Sequence, residues 1–202
     1  MARTKASEGV PLGRDEIVAA AMRVTEQRGL DHLTMRALAT ELGVTPMAMY
    51  HHVPNKEALL QLVADAAIEA VDFPDATAGA WDVRLAQLMR DLRHHLAAFP
   101  GVGPYLLGSD IATPAMDRLL TASVEMLVDA GFGERDAGLA FTAVHNYVLG
   151  RLYVEASLRG ARYERLRAKR AGQPRPPIMQ LPSDDYFEYG LAALLRGLRP
   201  TA

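Results

Sequence analysis

Residues 33–60 read LTMRALATELGVTPMAMYHHVPNKEALL, and the punctuation of this stretch decides the fold. Thr34 has the side chain of a helix N-cap, with Leu33 before it and Leu38 four residues after it spaced as a hydrophobic staple. A short helix therefore starts there. Gly43 follows the last apolar position, Leu42, and glycine tolerates the left-handed conformation that ends a helix and turns the chain. Thr45 repeats the cap, with Pro46 at the first helical position, where its missing N–H costs nothing, and with Val44 and Met49 as a second staple. Pro54 disfavours helical backbone at Val53, so this second helix is short, and Asn55 caps a third, longer one.

Two short helices joined by a tight turn make a helix-turn-helix, whose second helix lies in the major groove of double-stranded DNA with its N-terminal residues toward the base edges. Thr45, Pro46, Met47, Ala48, Tyr50 and His51 then form the reading surface. Pro46, Met47 and Ala48 offer apolar contact suited to a thymine methyl. The second helix has no Arg, Lys, Asn or Gln, so sequence discrimination falls on apolar contact and on Arg36, which can read guanine O6/N7 or hold a phosphate.

Bulk properties narrow the setting. At 202 residues, half of them apolar, the chain can hold one medium domain or a small one joined to a larger one. Cysteine is absent, so neither a disulfide framework nor thiolate metal ligation is available, which fits a cytoplasmic location. The first residues, MARTKASEGVPLG, lack an apolar signal region, and no run approaches the roughly 18 apolar residues of a spanning helix, so no membrane partner is expected. Net charge is −2, with seven Lys/Arg against six Asp/Glu in residues 1–56. DNA affinity must rest on local placement of cations and helix N-termini rather than on a basic surface.

The rest of the chain is patterned as helix throughout, and no strand pattern or internal repeat interrupts it. Residues 1–13 form a polar flexible arm, either a plain tail or a source of DNA contact through Arg3 and Lys5. Arg14–Arg28 is a helix with Ile17, Ala20, Ala21 and Val24 on one face, stopped by Gly29. Lys56–Val71 is a longer helix, and a domain boundary is expected within it: 1–60 for DNA binding, 61–202 for a second helical unit. Trp81–Phe99, Pro114–Ala130, Glu134–Leu158 and Asp184–Leu198 follow as amphipathic or buried helices. Glu134–Leu158 is apolar on two sides, the mark of a helix that meets both a core and a partner. The Arg-rich stretch 159–170 reads as a solvated connection, or as a contact in DNA approach or dimerisation. The expected class is all-α. No Gly-x-Ser-x-Gly elbow, His-Glu-x-x-His pair or phosphate loop is present, so no catalytic residue is assigned and no enzyme is expected.

Thr34-x-Arg36, the Ala39…Gly43 spacing, Tyr50-His51-His52-Val53 and Asn55-Lys56-x-x-Leu59-Leu60 resemble the helix-turn-helix pattern of the TetR family of bacterial transcriptional regulators. Trp81, Gly131-Phe132-x-x-Arg135-Asp136, Leu149-Gly150 and Gly190-Leu191…Leu195-Arg196-Gly197-Leu198 resemble its tetracycline-repressor subgroup, so the likeness runs over essentially the whole length. The resemblance implies a repressor that binds a palindromic operator as a homodimer and leaves it when a small-molecule effector binds 61–202. It implies DNA-backbone contacts from Thr34, Tyr50, His52 and Lys56, although Tyr50 also reads as a core aromatic with its hydroxyl at the surface. His51 and His52 point apart on one helix and do not make a metal site. It implies a dimer held by the last two long helices, with Val144, Tyr147, Val148, Phe187, Leu191, Leu194 and Leu195 as contact residues.

Departures from the subgroup shape the effector expectation. Tetracycline-binding members hold a drug–magnesium chelate with polar groups and a histidine metal ligand. Aligned on Gly131-Phe132, the ligand position is Leu107 here, and neighbouring pocket positions are Leu88, Leu92, Leu120 and Ser123. The expected effector is therefore largely apolar or aromatic, with no metal and no cofactor, met also by Phe141 and by the polar candidates His95, His145 and Asn146. Each of these residues equally suits a plain helical core.

Overall fold

The computed structural model describes residues 13–75, 77, 79–108, 113–159, 165, 168–169 and 181–200. Among them there is no strand, and the all-α class holds. Helix α1 (Arg14–Arg28) leads into a single 3-10 turn, Leu30–His32, then α2 (Met35–Leu42), α3 (Pro46–Tyr50) and α4 (Lys56–Glu69). The body follows as α5 (Trp81–Ala97), α6 (Val102–Gly108), α7 (Pro114–Asp129), α8 (Glu134–Arg159) and α9 (Ser183–Gly197).

The caps explain the sharpness of the first boundaries. Thr34 accepts from the Ala37 N–H at 3.0 Å, Thr45 from Ala48 at 3.3 Å and Asn55 from Ala58 at 2.8 Å, each satisfying an orphan donor of its helix. Gly43 lies at φ +67° and closes α2, a conformation that costs a side-chain-bearing residue strain. Leu33, Leu38 and Met49 are fully buried; α2 packs on α1, whose Ile17, Ala20, Ala21 and Val24 are buried, and α3 packs on α2.

α8 is the axis of the body, and α5, α6, α7 and α9 pack around it. Its buried side, Ala137, Ala140, Phe141, Val144, Val148, Leu149 and Leu152, faces Leu85, Leu88, Met89, Leu92 and Leu96 of α5 among others. α4 belongs to both halves, since it packs on α1 and equally on α7. Asp65 in its middle accepts from the Ala115 N–H at 2.8 Å at the start of α7, and Glu69 pairs with Arg118 one turn further along.

Helix α6 and the 3-10 turn are absent from the sequence-based expectation. GVGPYLLG carries three glycines and Pro104, which read as breakers. Pro104 is the third residue of α6, however, where the backbone N–H has no intrahelical partner to lose. Val102 and Leu106 are buried and hold the short helix onto α8. The arm 1–12 and most of the Arg-rich stretch lie outside the described residues.

Candidate DNA-reading surface and effector region

The reading surface follows from how α3 is anchored. Met49 and Val53 are buried, so Met47, Tyr50 and His51, at i, i+3 and i+4, form one outward strip, with Met47 71 % and Tyr50 50 % exposed. Pro46 and Thr45 extend it toward the helix start, and Ala48 is half-buried beside it. Thr34 and Thr45 use an oxygen lone pair for capping, which leaves each hydroxyl hydrogen free to donate outward. Arg36, His52 and Lys56 are exposed, and Arg36 and Lys56 take part in no ion pair among the described residues. Lys56 is the first residue of α4, so its charge adds to the helix N-terminal N–H groups. Thus all ten expected DNA-contact residues lie on or beside the capped helix-turn-helix. Tyr50 lies half out of the core, which leaves its ring and hydroxyl within reach of a duplex.

Among the described residues, several contacts tie this unit and α4 to the body. The Leu30 N–H donates to the Pro100 carbonyl at 2.7 Å, joining the 3-10 turn to the α5–α6 corner. The Tyr105 hydroxyl of α6 donates to Glu57 Oε1 at 2.5 Å, beside Lys56. Burial, and then the hydrogen bond to Glu57, pushes that phenol well above its ordinary value. Asp65 and Glu69 tie α4 to α7. Neither Tyr105 nor Glu57 is marked by any local signal; 48 residues separate them, and only the fold brings them together.

The eight expected effector residues differ in exposure. Leu88, Leu92, Ser123 and Phe141 are buried in the core, with the Ser123 hydroxyl donating to the Leu119 carbonyl at 2.6 Å. Leu107 and Leu120 are each 42 % exposed. His95 has Nδ1 3.0 Å from the Asp91 carbonyl on its own helix. A groove of about 770 Å³ between the two halves of the chain is lined by none of the eight. Phe141 and His145 do meet, stacked with ring centroids 5.3 Å apart. His145 Nε2 is buried without a hydrogen-bond partner among the described residues, and burial lowers the imidazole to about 4, so it stands neutral. Asn146, beside it in the chain, faces solvent.

The expected dimerisation residues differ in exposure within the single chain. Val144, Val148, Phe187, Leu191 and Leu195 are buried in its own core. Tyr147 and Leu194 are half-buried, and the Tyr147 hydroxyl donates to the Tyr186 carbonyl at 2.7 Å, knitting α8 to α9. The sequence could not separate the inner from the outer face of α8, because both are apolar. The opposite faces leave Leu139, Val154 and Leu158 of α8 exposed and Tyr189 of α9 76 % exposed. A charged cluster also escaped the sequence reading: Glu155 is buried between Arg93 at 3.0 Å and Arg151 at 3.5 Å, and Arg93 reaches Asp184 at the start of α9 at 2.7 Å.

Comparison with known proteins agrees with this geometry. The model of bacterial regulatory proteins of the tetR family matches residues 17–63, and that of the tetracyclin repressor-like C-terminal domain matches residues 73–202. An HTH-type transcriptional regulator of Saccharopolyspora erythraea is 29 % identical over 229 residues, covering 99 % of this chain and 97 % of its own. Among solved structures, ActR of Streptomyces coelicolor in complex with (S)-DNPA is 27 % identical at a TM-score of 0.78, over 93 % of this chain and 97 % of that one. BioQ with its natural double-stranded DNA operator is 28 % identical at a TM-score of 0.71, over 92 % and 97 %. With both halves matched and the helix-turn-helix in place, the chain belongs to the TetR family of transcriptional regulators.

Proposed function

We propose that this regulator is a repressor that binds a palindromic operator as a homodimer and is released by a small, largely apolar or aromatic effector without metal. The observation that carries it is the capped helix-turn-helix with Arg36, Met47, Tyr50 and Lys56 presented to solvent and tied to the body through Tyr105–Glu57 and Leu30–Pro100. That BioQ is solved with its DNA operator and ActR with (S)-DNPA supports the two kinds of partner. Residues 1–60 read DNA, and 61–202 bind the effector and dimerise.

The operator-bound dimer presents two reading helices about 34–36 Å apart, one turn of DNA. The effector enters the helical body near His145, whose neutral, unpartnered Nε2 accepts or donates one hydrogen bond to it. Leu107, at the position of the subgroup's histidine ligand, offers nothing to a metal. A ligand that prefers a different placement of α6 moves Tyr105 and hence the N-terminal end of α4, and by linkage weakens DNA binding by the factor DNA weakens the ligand. The partner packs on the outward faces of α8 and α9, around Val154, Leu158 and Tyr189. The protein acts in the cytoplasm.

Selection of bound DNA from random fragments tests the core of this reading, and recovery of a palindrome is the expected result. The second reading is a DNA-binding regulator or activator with no small-molecule effector. Screening the selected operator complex for release by apolar and aromatic compounds separates the two.

A further inference from the structure

The groove between the two halves of the chain has a consistent chemistry. Its inner wall is apolar and aromatic: Leu60 of α4, Leu96 and Phe99 around the end of α5, Tyr105 of α6, and Leu152 of α8. Its volume of about 770 Å³ is that of a small-molecule site. The rim is cationic. Arg28 at the end of α1, Lys56 at the start of α4 and Arg159 at the end of α8 are all exposed, and none takes part in an ion pair among the described residues. His32 stands beside them.

Two acids also line the groove, Asp31 and Glu155. Glu155 is already neutralised from behind by Arg93 and Arg151, neither of which lines the groove, and is further held by the Ser183 hydroxyl at 2.8 Å. Among the described lining residues, Asp31 alone therefore opposes the three cations.

We infer that this groove is a second ligand site, distinct from the effector region around His145, and that it takes an aromatic organic anion whose rings lie on the Leu96–Phe99–Tyr105–Leu152 wall and whose charge sits among Arg28, Lys56 and Arg159. Lys56 makes the site regulatory. The same ammonium that lies beside the DNA-reading surface forms part of the rim, so an anion bound here draws it away from a phosphate, and DNA and anion oppose each other's binding.

The test uses a fluorescent aromatic sulfonate, 8-anilinonaphthalene-1-sulfonate, with the full chain, and its uncharged counterpart N-phenyl-1-naphthylamine as control. Saturable binding of one sulfonate per chain is expected, not displaced by the uncharged amine. Arg28→Glu with Arg159→Glu should weaken it by about tenfold or more, with the melting temperature held. Should that double variant fail to fold, Ser157→Glu, at an exposed groove residue, brings in a single negative charge and should also weaken sulfonate binding. Sulfonate affinity unchanged in the folded charge variants, or ready displacement of the sulfonate by the uncharged amine, overturns the inference. Neither result bears on operator selection, so this site and the proposed repressor function fail separately.

Discussion

His145 makes acid stability a direct readout of the α8 core. Burial holds the imidazole at about 4 in the folded chain, against 6.5 when it is exposed. Because the folded value is depressed, the unfolded chain binds the proton more readily. The stability contributed by the neutral ring is fully present above pH 6.5 and is lost as pH falls from 6.5 toward 4. Each pH unit between the two values costs about 1.4 kcal/mol, so moving from pH 7 to pH 5 removes about 2 kcal/mol, and the full span about 3 kcal/mol. The window from 7 to 5 isolates this ring from Glu188, whose carboxyl Arg90 holds below the usual range and whose contribution goes only at lower pH. The assay is urea unfolding at pH 7, 6 and 5 on wild type and His145→Phe. Phenylalanine keeps the stack on Phe141 and removes the orphaned Nε2, so the variant should be at least as stable at pH 7 and should lose the slope between 7 and 5. An unchanged slope in His145→Phe, or an imidazole that titrates near 6.5 by NMR, would show that this ring is not held neutral by the core.

Three further perturbations probe other joints of the molecule. Arg36→Ala should lower the preference for the selected operator over random DNA by about tenfold or more, measured by competition binding; full retention of that preference would move the reading to another side chain. Tyr105→Phe removes the tie to Glu57 at a partly exposed site, so it should cost about 1 kcal/mol, lower the melting temperature by about 2–4 °C and weaken operator binding about fivefold. Operator affinity equal to wild type would mean that α6 does not position α4 through this bond. Gly190→Ala should destabilise the chain by about 1–3 kcal/mol in thermal unfolding, because a Cβ there collides with the Tyr147 phenol that knits α8 to α9; a wild-type melting curve would refute that packing.

Helix boundaries near the N-terminus were legible in the sequence because their causes are local. Thr34, Thr45 and Asn55 each act on a backbone N–H three residues away, and Gly43 acts on its own φ. The anchored position of Met49 likewise determined that Met47, Tyr50 and His51 face out, since residues three and four apart share a helix face. α6 escaped because a proline and three glycines suppress the local signal, while what holds it, Val102 and Leu106 against α8, is remote in sequence.

Tertiary structure alone decided the rest. Which side of α8 is core and which is free depends on where α5, α7 and α9 land, and hydropathy does not distinguish two apolar faces of one helix. The burial of Val144 and Phe187, the meeting of Tyr105 with Glu57, the sealing of Glu155 between two arginines and the groove rimmed by Arg28, Lys56 and Arg159 are contacts between distant segments. Residue type and spacing determined that a helix-turn-helix exists and where its helices begin. How that unit is tied to the helical body was settled by long-range packing, because such ties depend on separations in space that leave no periodic trace along the chain.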